Sequence, residues 1–390
     1  MWRNIASNAL TLLIVVVAAL AGFIAWAKTQ FTAPGPLAQA ICVEVPSGST
    51  MRGISQDLAE QGAISSERIF RIGAEYTDRS QDLKAGSFLV PETASMDEIV
   101  SIVTASGQST CGTEIVYRIG VTESHVEVRE LDPATNRFVE QAEFDPGADE
   151  AAPEIYQQVR DAEDTRYRIA IAEGATSWQI VDGLRNADFL EGDLAEVPAE
   201  GYLAPDSYEV RPGASRGELI DRMRTRQEQR LSAAWEDRAD DLPYDTPEEA
   251  LIMASIIEKE TAVADERPQV ASVFVNRLNE GIRLQTDPTV IYGITEGEGT
   301  LGRGLRRSEL DAETPYNTYV IDGMPPTPIA NPGQAAIEAA VNPAETDYLY
   351  FVADGSGGHA FAQTLSEHNE NVARWREIEA QNADDSDGGE

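Results

Sequence analysis

The chain has 390 residues, of which 67 are acidic and 30 are Lys or Arg, so its formal net charge is −37. This length allows two or three domains, and a hydrophobic fraction of 42% is enough to form their cores. The acidity argues against nucleic acid as a partner, because phosphate binding needs basic patches. Two cysteines and three widely spaced histidines argue against a zinc site, and we predict no cofactor.

An apolar segment lies at the N-terminus. Residues 9–27 carry no charge and would span about 28 Å as a helix, which is close to the hydrocarbon thickness of a bilayer. Trp26 and Lys28 are typical of the far interface. A cleaved signal peptide is the alternative, since Ala25-Trp26-Ala27 is similar to a cleavage site. We predict a single-pass transmembrane helix, with residues 1–8 in the cytoplasm and the remainder exported.

A small α+β module follows a Pro-containing linker at residues 28–40. Residues 41–110 give strand, helix, helix, strand and helix signals, and this order resembles the LysM glycan-binding fold; a spacer is the alternative. Cys42 and Cys111 bracket the module, and in an exported protein they are compatible with one disulfide. Residues 111–165 alternate between polar and apolar positions, as expected of a β-rich or partly disordered insertion of unknown role.

The largest domain is predicted over residues 166–378, with mixed α+β structure, before an acidic and disordered tail at 379–390. Its clearest signal is Thr246-Pro247-Glu248-Glu249, a capping box with Pro at the first helical position. The pattern predicts a helix over Glu249–Ala264. Met253, Ile256 and Ile257 would share its buried face.

Glu260 falls within that apolar stripe, whereas Glu258 is predicted to point away from it. A buried carboxyl resists ionisation, so its pKa should rise, which is the state that a general acid needs near neutral pH. The alternative is an internal ion pair between Glu260 and Arg267 or Arg277.

Polar and aromatic residues of the same domain are candidates for binding a sugar polymer. Gln285 and Thr286 are suited to hydrogen-bonding a sugar, whereas Asp287 before Pro288 is also typical of a helix cap. Tyr202 would stack on a sugar or pack in the core. The substrate-binding candidates are Tyr202, Asn276, Arg277, Gln285, Thr286, Asp287, Tyr292, Asn317, His359, Phe361, His368 and Asn369.

Five motifs of this domain are similar to those of the endolytic murein transglycosylases, the YceG-like family. They are EGYLAPDSY (200–208), ASIIEKETAVADERPQVASVFVNRL (254–278), RLQTDPTVIYG (283–293), PYNTY (315–319) and YLYFVADGSGGHAFAQTLSEHN (348–369). The resemblance implies an enzyme held in the cell inner membrane, with a periplasmic catalytic domain. Such an enzyme cuts within peptidoglycan strands, between N-acetylmuramic acid and N-acetylglucosamine, and leaves 1,6-anhydromuramyl ends. Peptidoglycan is the implied partner, with cell-wall synthases as further candidates.

The resemblance also implies that the second Glu of EKET, Glu260, is the catalytic residue. It would protonate the glycosidic oxygen and, once ionised, take the proton of the muramyl 6-hydroxyl as that oxygen attacks C1. One rival is a lysozyme-type hydrolase in which Asp287 or Asp206 activates water. Another is a non-catalytic scaffold that binds glycan and recruits synthases. The sequence departs from the family pattern in the length of residues 112–165.

Overall fold

The computed structural model describes residues 2–105, 109–148, 151–162 and 164–387. Met1 and residues 388–390, at the ends of the predicted cytoplasmic segment and tail, lie outside this range. The chain forms two compact units. The first comprises Met1–Val116, Val126–Phe144 and Glu150–Tyr167, and the second comprises Tyr117–His125, Asp145–Asp149 and Arg168–Glu390. The second unit thus takes up two short segments that the sequence analysis assigned to the insertion.

The N-terminal helix, α1, spans Trp2–Thr32. Its segment Leu10–Thr32 is the one described helix that is long and apolar enough to cross a membrane, a property that signal sequences share. The helix extends into the predicted linker, and Phe31 and Leu37 are buried in the core of the first unit. A Cβ on Gly73 would lie 2.2 Å from the Phe31 ring, so the ring rests directly on the glycine backbone. The structure therefore differs from a free linker at residues 28–40.

The small module of the first unit has the predicted element order. Its elements are β1 (Ile41–Val45), α2 (Met51–Glu60), α3 (Glu67–Tyr76), β2 (Gly86–Val90) and α4 (Met96–Thr104). The two strands are antiparallel, with Ile41 opposite Val90. Each helix begins with a hydroxyl cap, and Ser95 forms a complete capping box with Glu98. A disulfide joins Cys42 to Cys111, whose Cα atoms are 5.7 Å apart.

The segment after the module contains strands at the three alternating stretches. Its elements are β3 (Thr113–Ile119), β4 (Ser124–Asp132), β5 (Arg137–Phe144), α5 (Glu154–Val159) and β6 (Arg166–Ile171). β4 and β5 are antiparallel, and their register shifts after Val128. Together with β8 (Ser207–Val210), four of these strands form a sheet of order β5-β4-β3-β6-β8.

The rest of the second unit is mainly helical. Its elements are α6 (Ser177–Asn186), β7 (Leu190–Glu191), β9 (Ala214–Ser215), α7 (Arg216–Glu236), α8 (Pro247–Glu260), a 3-10 helix (Ala264–Glu266), α9 (Arg267–Asn279), α10 (Asp287–Thr295), α11 (Arg307–Leu310), α12 (Gln334–Val341), β10 (Tyr350–Ala353), β11 (His359–Ala362) and α13 (Leu365–Asp387). α13 runs well past Glu379, where the sequence predicts a disordered tail.

Helix α8 is the centre of this unit. The predicted capping box is present at Thr246 and Glu249, with Pro247 at the first position. Every residue from Ala250 to Ile257 is buried, because α7, α9, α10 and α12 all pack against the helix. The predicted one-sided apolar stripe is therefore wrong, since a helix enclosed on all sides is apolar all round.

Strands β10 and β11 form a hairpin, and residues 354–358 connect them. Its strands are antiparallel, with Phe351 opposite Phe361 and Ala353 opposite His359. α13 packs on both strands. The hairpin thereby holds His359, the first residue of β11, in a fixed position, and β10 packs against α9.

Candidate active site

Glu260 is the last residue of α8, so the helix ends four residues before the predicted Ala264. The chain turns extended at Thr261, with φ −139° and ψ 131°, and the Thr261 hydroxyl accepts the Val263 N–H at 3.1 Å. The 3-10 helix then leads into α9. Glu260 therefore lies where the buried helix gives way to a loop.

The Glu260 carboxyl has one hydrogen-bond partner. The Thr286 hydroxyl donates to Oε1, and no other bond or ion pair to this carboxyl occurs among the residues that the structure describes. Burial raises the pKa of Glu260, and the Asp287 charge raises it further, whereas Thr286, His359 and Arg277 act in the opposite direction. The carboxyl thus favours its protonated form and keeps Oε2 free.

Glu258 occupies a different environment two residues earlier. Its side chain is 5% exposed, and Oε1 lies 3.5 Å from Nη2 of Arg267, which is also 3.7 Å from Glu173. Oε2 accepts the Gly333 N–H at 2.8 Å. The prediction that Glu258 points away from the buried face is wrong, because α8 is enclosed on every side. The predicted ion pair with Arg267 belongs to Glu258 and not to Glu260.

Arg277 and Asn276 attach α9 to the segment before β10. Arg277 donates to the carbonyls of Leu349 at 2.7 Å and Leu284 at 2.6 Å, and Asn276 donates to those of Thr346 and Tyr348 at 2.8 and 3.0 Å. Arg277 forms no ion pair with Glu260 within the described chain. Its charge nevertheless lowers the pKa of Glu260, so it is a nearby cation that leaves the carboxyl unpaired.

The loop before α10 brings Thr286 to Glu260. Gln285 has φ +51°, in the left-handed region that non-glycine residues rarely occupy, and its side chain is exposed. Thr286 is the N-cap residue, one position before the predicted Asp287, and its hydroxyl bonds to Glu260 instead of capping the helix. Asp287 accepts a hydrogen bond from the Tyr319 hydroxyl at 2.7 Å.

His359 reaches the same site from β11. The Glu266 carboxylate accepts the His359 backbone N–H at 3.0 Å and lies 2.7 Å from Nδ1. The imidazole meets the Phe351 and Phe361 rings at centroid distances of 5.3 and 6.4 Å. The structure thus brings Thr286, Asp287, Arg277 and His359 near Glu260.

The sequence of this chain is similar to those of known proteins. A family model described as the YceG-like family matches residues 43–128 and 124–374. The chain belongs to this family. The matched ranges also cover all of residues 112–165, which the sequence analysis set apart from the family pattern.

Two relatives carry the name endolytic murein transglycosylase. The protein of Bacillus subtilis is 30% identical over 328 residues, which cover 84% of this chain and 82% of the relative. That of Streptococcus pneumoniae strain D39 is 28% identical over 340 residues, covering 85% of this chain and 58% of the relative. A crystal structure of a YceG-like protein from Listeria monocytogenes is 26% identical, covers 85% of this chain and 98% of its own, and gives a TM-score of 0.45.

Other candidates of the YceG-like chain have partners away from Glu260. The Tyr292 hydroxyl donates to Glu200 at 3.3 Å. The Asn317 amide donates to three backbone carbonyls, which hold the loop after α11. Tyr202 packs against the core. Burial raises the pKa of Tyr202, and the charges of Glu248 and Glu228 raise it further. Glu248 lies at the opposite end of α8 from Glu260.

The last two candidates lie at the start of α13. His368 stacks on Tyr350 at a centroid distance of 5.2 Å, and its buried Nδ1 has no hydrogen-bond partner among the residues that the structure describes. Burial lowers the pKa of His368, and the Arg277 charge lowers it further. Asn369 is exposed, and no contact ties it to Glu260 within the described chain.

Two carboxyls of the YceG-like chain were missed by the sequence analysis. Glu200 accepts hydrogen bonds from Ser177, Asn331 and Tyr292, and burial raises its pKa to about 7. The Asn331 amide, which lies three residues before α12 begins at Gln334, donates to Glu200 at 3.0 Å. Glu266 gave no signal, because its partner lies 93 residues later. No described cluster of His, Cys, Asp and Glu would hold a metal ion.

Proposed function

We propose that this chain is an endolytic murein transglycosylase, which cuts within peptidoglycan strands between N-acetylmuramic acid and N-acetylglucosamine. The observation that carries the proposal is the Glu260 carboxyl, which is shielded, unpaired with any cation and free at Oε2. The family and the two relatives named for this activity support it.

Glu260 is the general acid of the proposed reaction. The raised pKa favours the protonated form of the carboxyl, and its proton passes to the glycosidic oxygen as the C1–O bond breaks. The muramyl 6-hydroxyl attacks C1, which gives the 1,6-anhydro ring and consumes no water. A second carboxylate nucleophile is not required, in contrast to retaining glycosidases.

A hydrolase is the second candidate, because Asp287 is near enough for its charge to raise the pKa of Glu260. A carboxylate in that position would activate water in an inverting reaction. Asp206, the other carboxylate considered, is bound by Arg226 and Arg230 at 2.6 Å each and is less suited to that role.

We also propose that α1 anchors the protein in the cell inner membrane, with the N-terminus in the cytoplasm and the chain that follows the apolar helix in the periplasm. The disulfide between Cys42 and Cys111 supports an oxidising compartment. We further propose that the small module binds glycan in the manner of LysM domains. Its strand-helix-helix-strand order and antiparallel strand pair support this assignment. Cell-wall synthases remain proposed partners.

Mass spectrometry of digested peptidoglycan tests the reaction. The full chain in detergent micelles is compared with Glu260→Gln, and Glu258→Gln is the matched control. We expect internal fragments with anhydro ends from the wild type and the control, and none from Glu260→Gln. Reducing ends would identify a hydrolase, and a folded wild type that releases no fragments would indicate a scaffold.

A further inference from the structure

The pairing of Glu266 with His359 is not used in the reaction described above. Glu266 binds the backbone N–H and Nδ1 of His359 with its two carboxylate oxygens, at 3.0 and 2.7 Å. Both side chains are 17% exposed, so the pair is largely withdrawn from solvent. A carboxylate on Nδ1 holds the proton there, which leaves a lone pair on Nε2.

The residue before His359 is a glycine, which leaves room for the Glu266 carboxylate. Gly358 is buried, and a Cβ at this position would lie 2.4 Å from Oε1 of Glu266. The glycine therefore lets the carboxylate approach the backbone of His359. No described protein group bonds to Nε2 of His359, so this nitrogen is available to a ligand.

The pair lies beside the proposed acid. The 3-10 helix that ends at Glu266 begins four residues after Glu260, and a positive charge on His359 would lower the pKa of the Glu260 carboxyl. Arg277 on α9 and Asp287 on α10 also act on this carboxyl, Arg277 lowering its pKa and Asp287 raising it. The apolar rings of Phe351 and Phe361 cover the imidazole.

We propose that His359 is the general base of the reaction and that Glu266 is the residue that positions it. Nε2 of His359 takes the proton of the muramyl 6-hydroxyl while the oxygen lone pair forms the bond to C1. In the same reaction the glycosidic C1–O bond breaks, its electrons stay on the leaving oxygen, and Glu260 supplies the proton for that oxygen. One proton is donated and one is accepted, and solvent then returns the proton from the imidazolium to Glu260.

This inference rests on the proposed function and divides a task that the sequence analysis gave to Glu260 alone. With His359 as the base and Glu260 as the acid, the 6-hydroxyl can lose its proton while Glu260 is still donating to the leaving oxygen. The pH dependence follows directly. The rate falls at low pH, where the imidazole is protonated and has no lone pair to offer, and at high pH, where Glu260 is ionised.

The experiment measures the release of anhydro ends from uncrosslinked glycan strands between pH 4.5 and 9, with the full chain in micelles. In His359→Gln we expect the rate at pH 7 to fall about 100-fold and the decline toward low pH to disappear. A residue that only bound substrate would lower the rate at every pH and leave the acid limb in place. His125→Gln, which changes a histidine outside the site, should keep the wild-type profile.

Two further variants keep the imidazole and change its partner. Glu266→Gln removes a negative charge from beside the imidazolium, and Gly358→Ala displaces the Glu266 carboxylate. In both we expect the acid limb to move to lower pH. An acid limb that stays in place in Glu266→Gln, or that survives in His359→Gln, overturns the proposal. The acid role of Glu260 is tested separately, by the product analysis above.

Discussion

The last turn of α8 carries two buried carboxyls whose hydrogen-bond and ion-pair partners differ. Glu258 faces a cation, Arg267, and a backbone donor at Gly333, while Glu260 faces a hydroxyl at Thr286 and no paired cation. Burial raises the pKa of both. Burial alone therefore does not mark an acid. The difference is that Glu258 is committed to its partners, whereas Glu260 keeps an oxygen for a substrate.

The strongest way to break this comparison is to neutralise each carboxyl in turn. We expect Glu260→Gln to lower the rate of strand cleavage about 1000-fold, because a general acid contributes on that scale. Glu258→Gln should retain the rate within about threefold, since it touches no substrate. Initial rates of anhydro-end release measure both. Equal losses in the two folded variants would contradict the distinction.

The stability of the same two variants should show the reverse order. Glu258→Gln leaves Arg267 with Glu173 as its remaining partner, so we expect a loss of about 3 kcal/mol in the free energy of unfolding. Glu260→Gln should cost little, because it breaks no ion pair of the described chain and burial already disfavours the charged form of this carboxyl. Urea unfolding at pH 7 measures both values. A larger loss in Glu260→Gln would show that Glu260 is the structural residue.

Glu200 adds a third buried carboxyl to the comparison, and the described groups that donate hydrogen bonds to it are all neutral. Its pKa is raised to about 7 from an ordinary 4.5, so the folded state keeps a proton that the unfolded state releases. Stability should therefore fall as pH rises from 4.5 to 7. We expect Glu200→Gln to gain roughly 2 kcal/mol relative to the wild type between pH 5 and pH 8. Thermal or urea unfolding at the two pH values tests this, and a parallel response of both proteins would refute it.

The smallest effect concerns the single partner of Glu260. In Thr286→Val the carboxylate loses its hydrogen bond, so the pKa of Glu260 rises further and the alkaline limb of the rate moves to higher pH. The rate at pH 7 should stay within about twofold of the wild type, because a higher pKa keeps the acid protonated over a wider pH range. Thr286→Ser keeps the hydroxyl and should match the wild type. An unchanged limb in Thr286→Val would show that the hydroxyl does not act on the acid.

Local signals predicted the start of α8 well and its surroundings poorly. The capping box at Thr246 depends on four consecutive residues, and it is present as expected. The burial of Glu258 depends on Gly333, 75 residues later, and the pairing of Glu266 depends on His359, 93 residues later. Periodicity within one helix contains no information on such partners. It indicated that Glu260 would be shielded, although the enclosing helices, and not a stripe, are the cause.

The end of α1 has a mechanical consequence. Phe31 and Leu37 belong to the core of the small module, and the Phe31 ring rests on Gly73. No slack chain therefore separates the apolar helix from the folded module. In a bilayer, a tilt of the helix would rotate the module by the same angle. The distance of the module from the membrane surface would be fixed. The module would then stay within a thin layer parallel to the membrane, whereas a flexible tether would let it reach a larger volume.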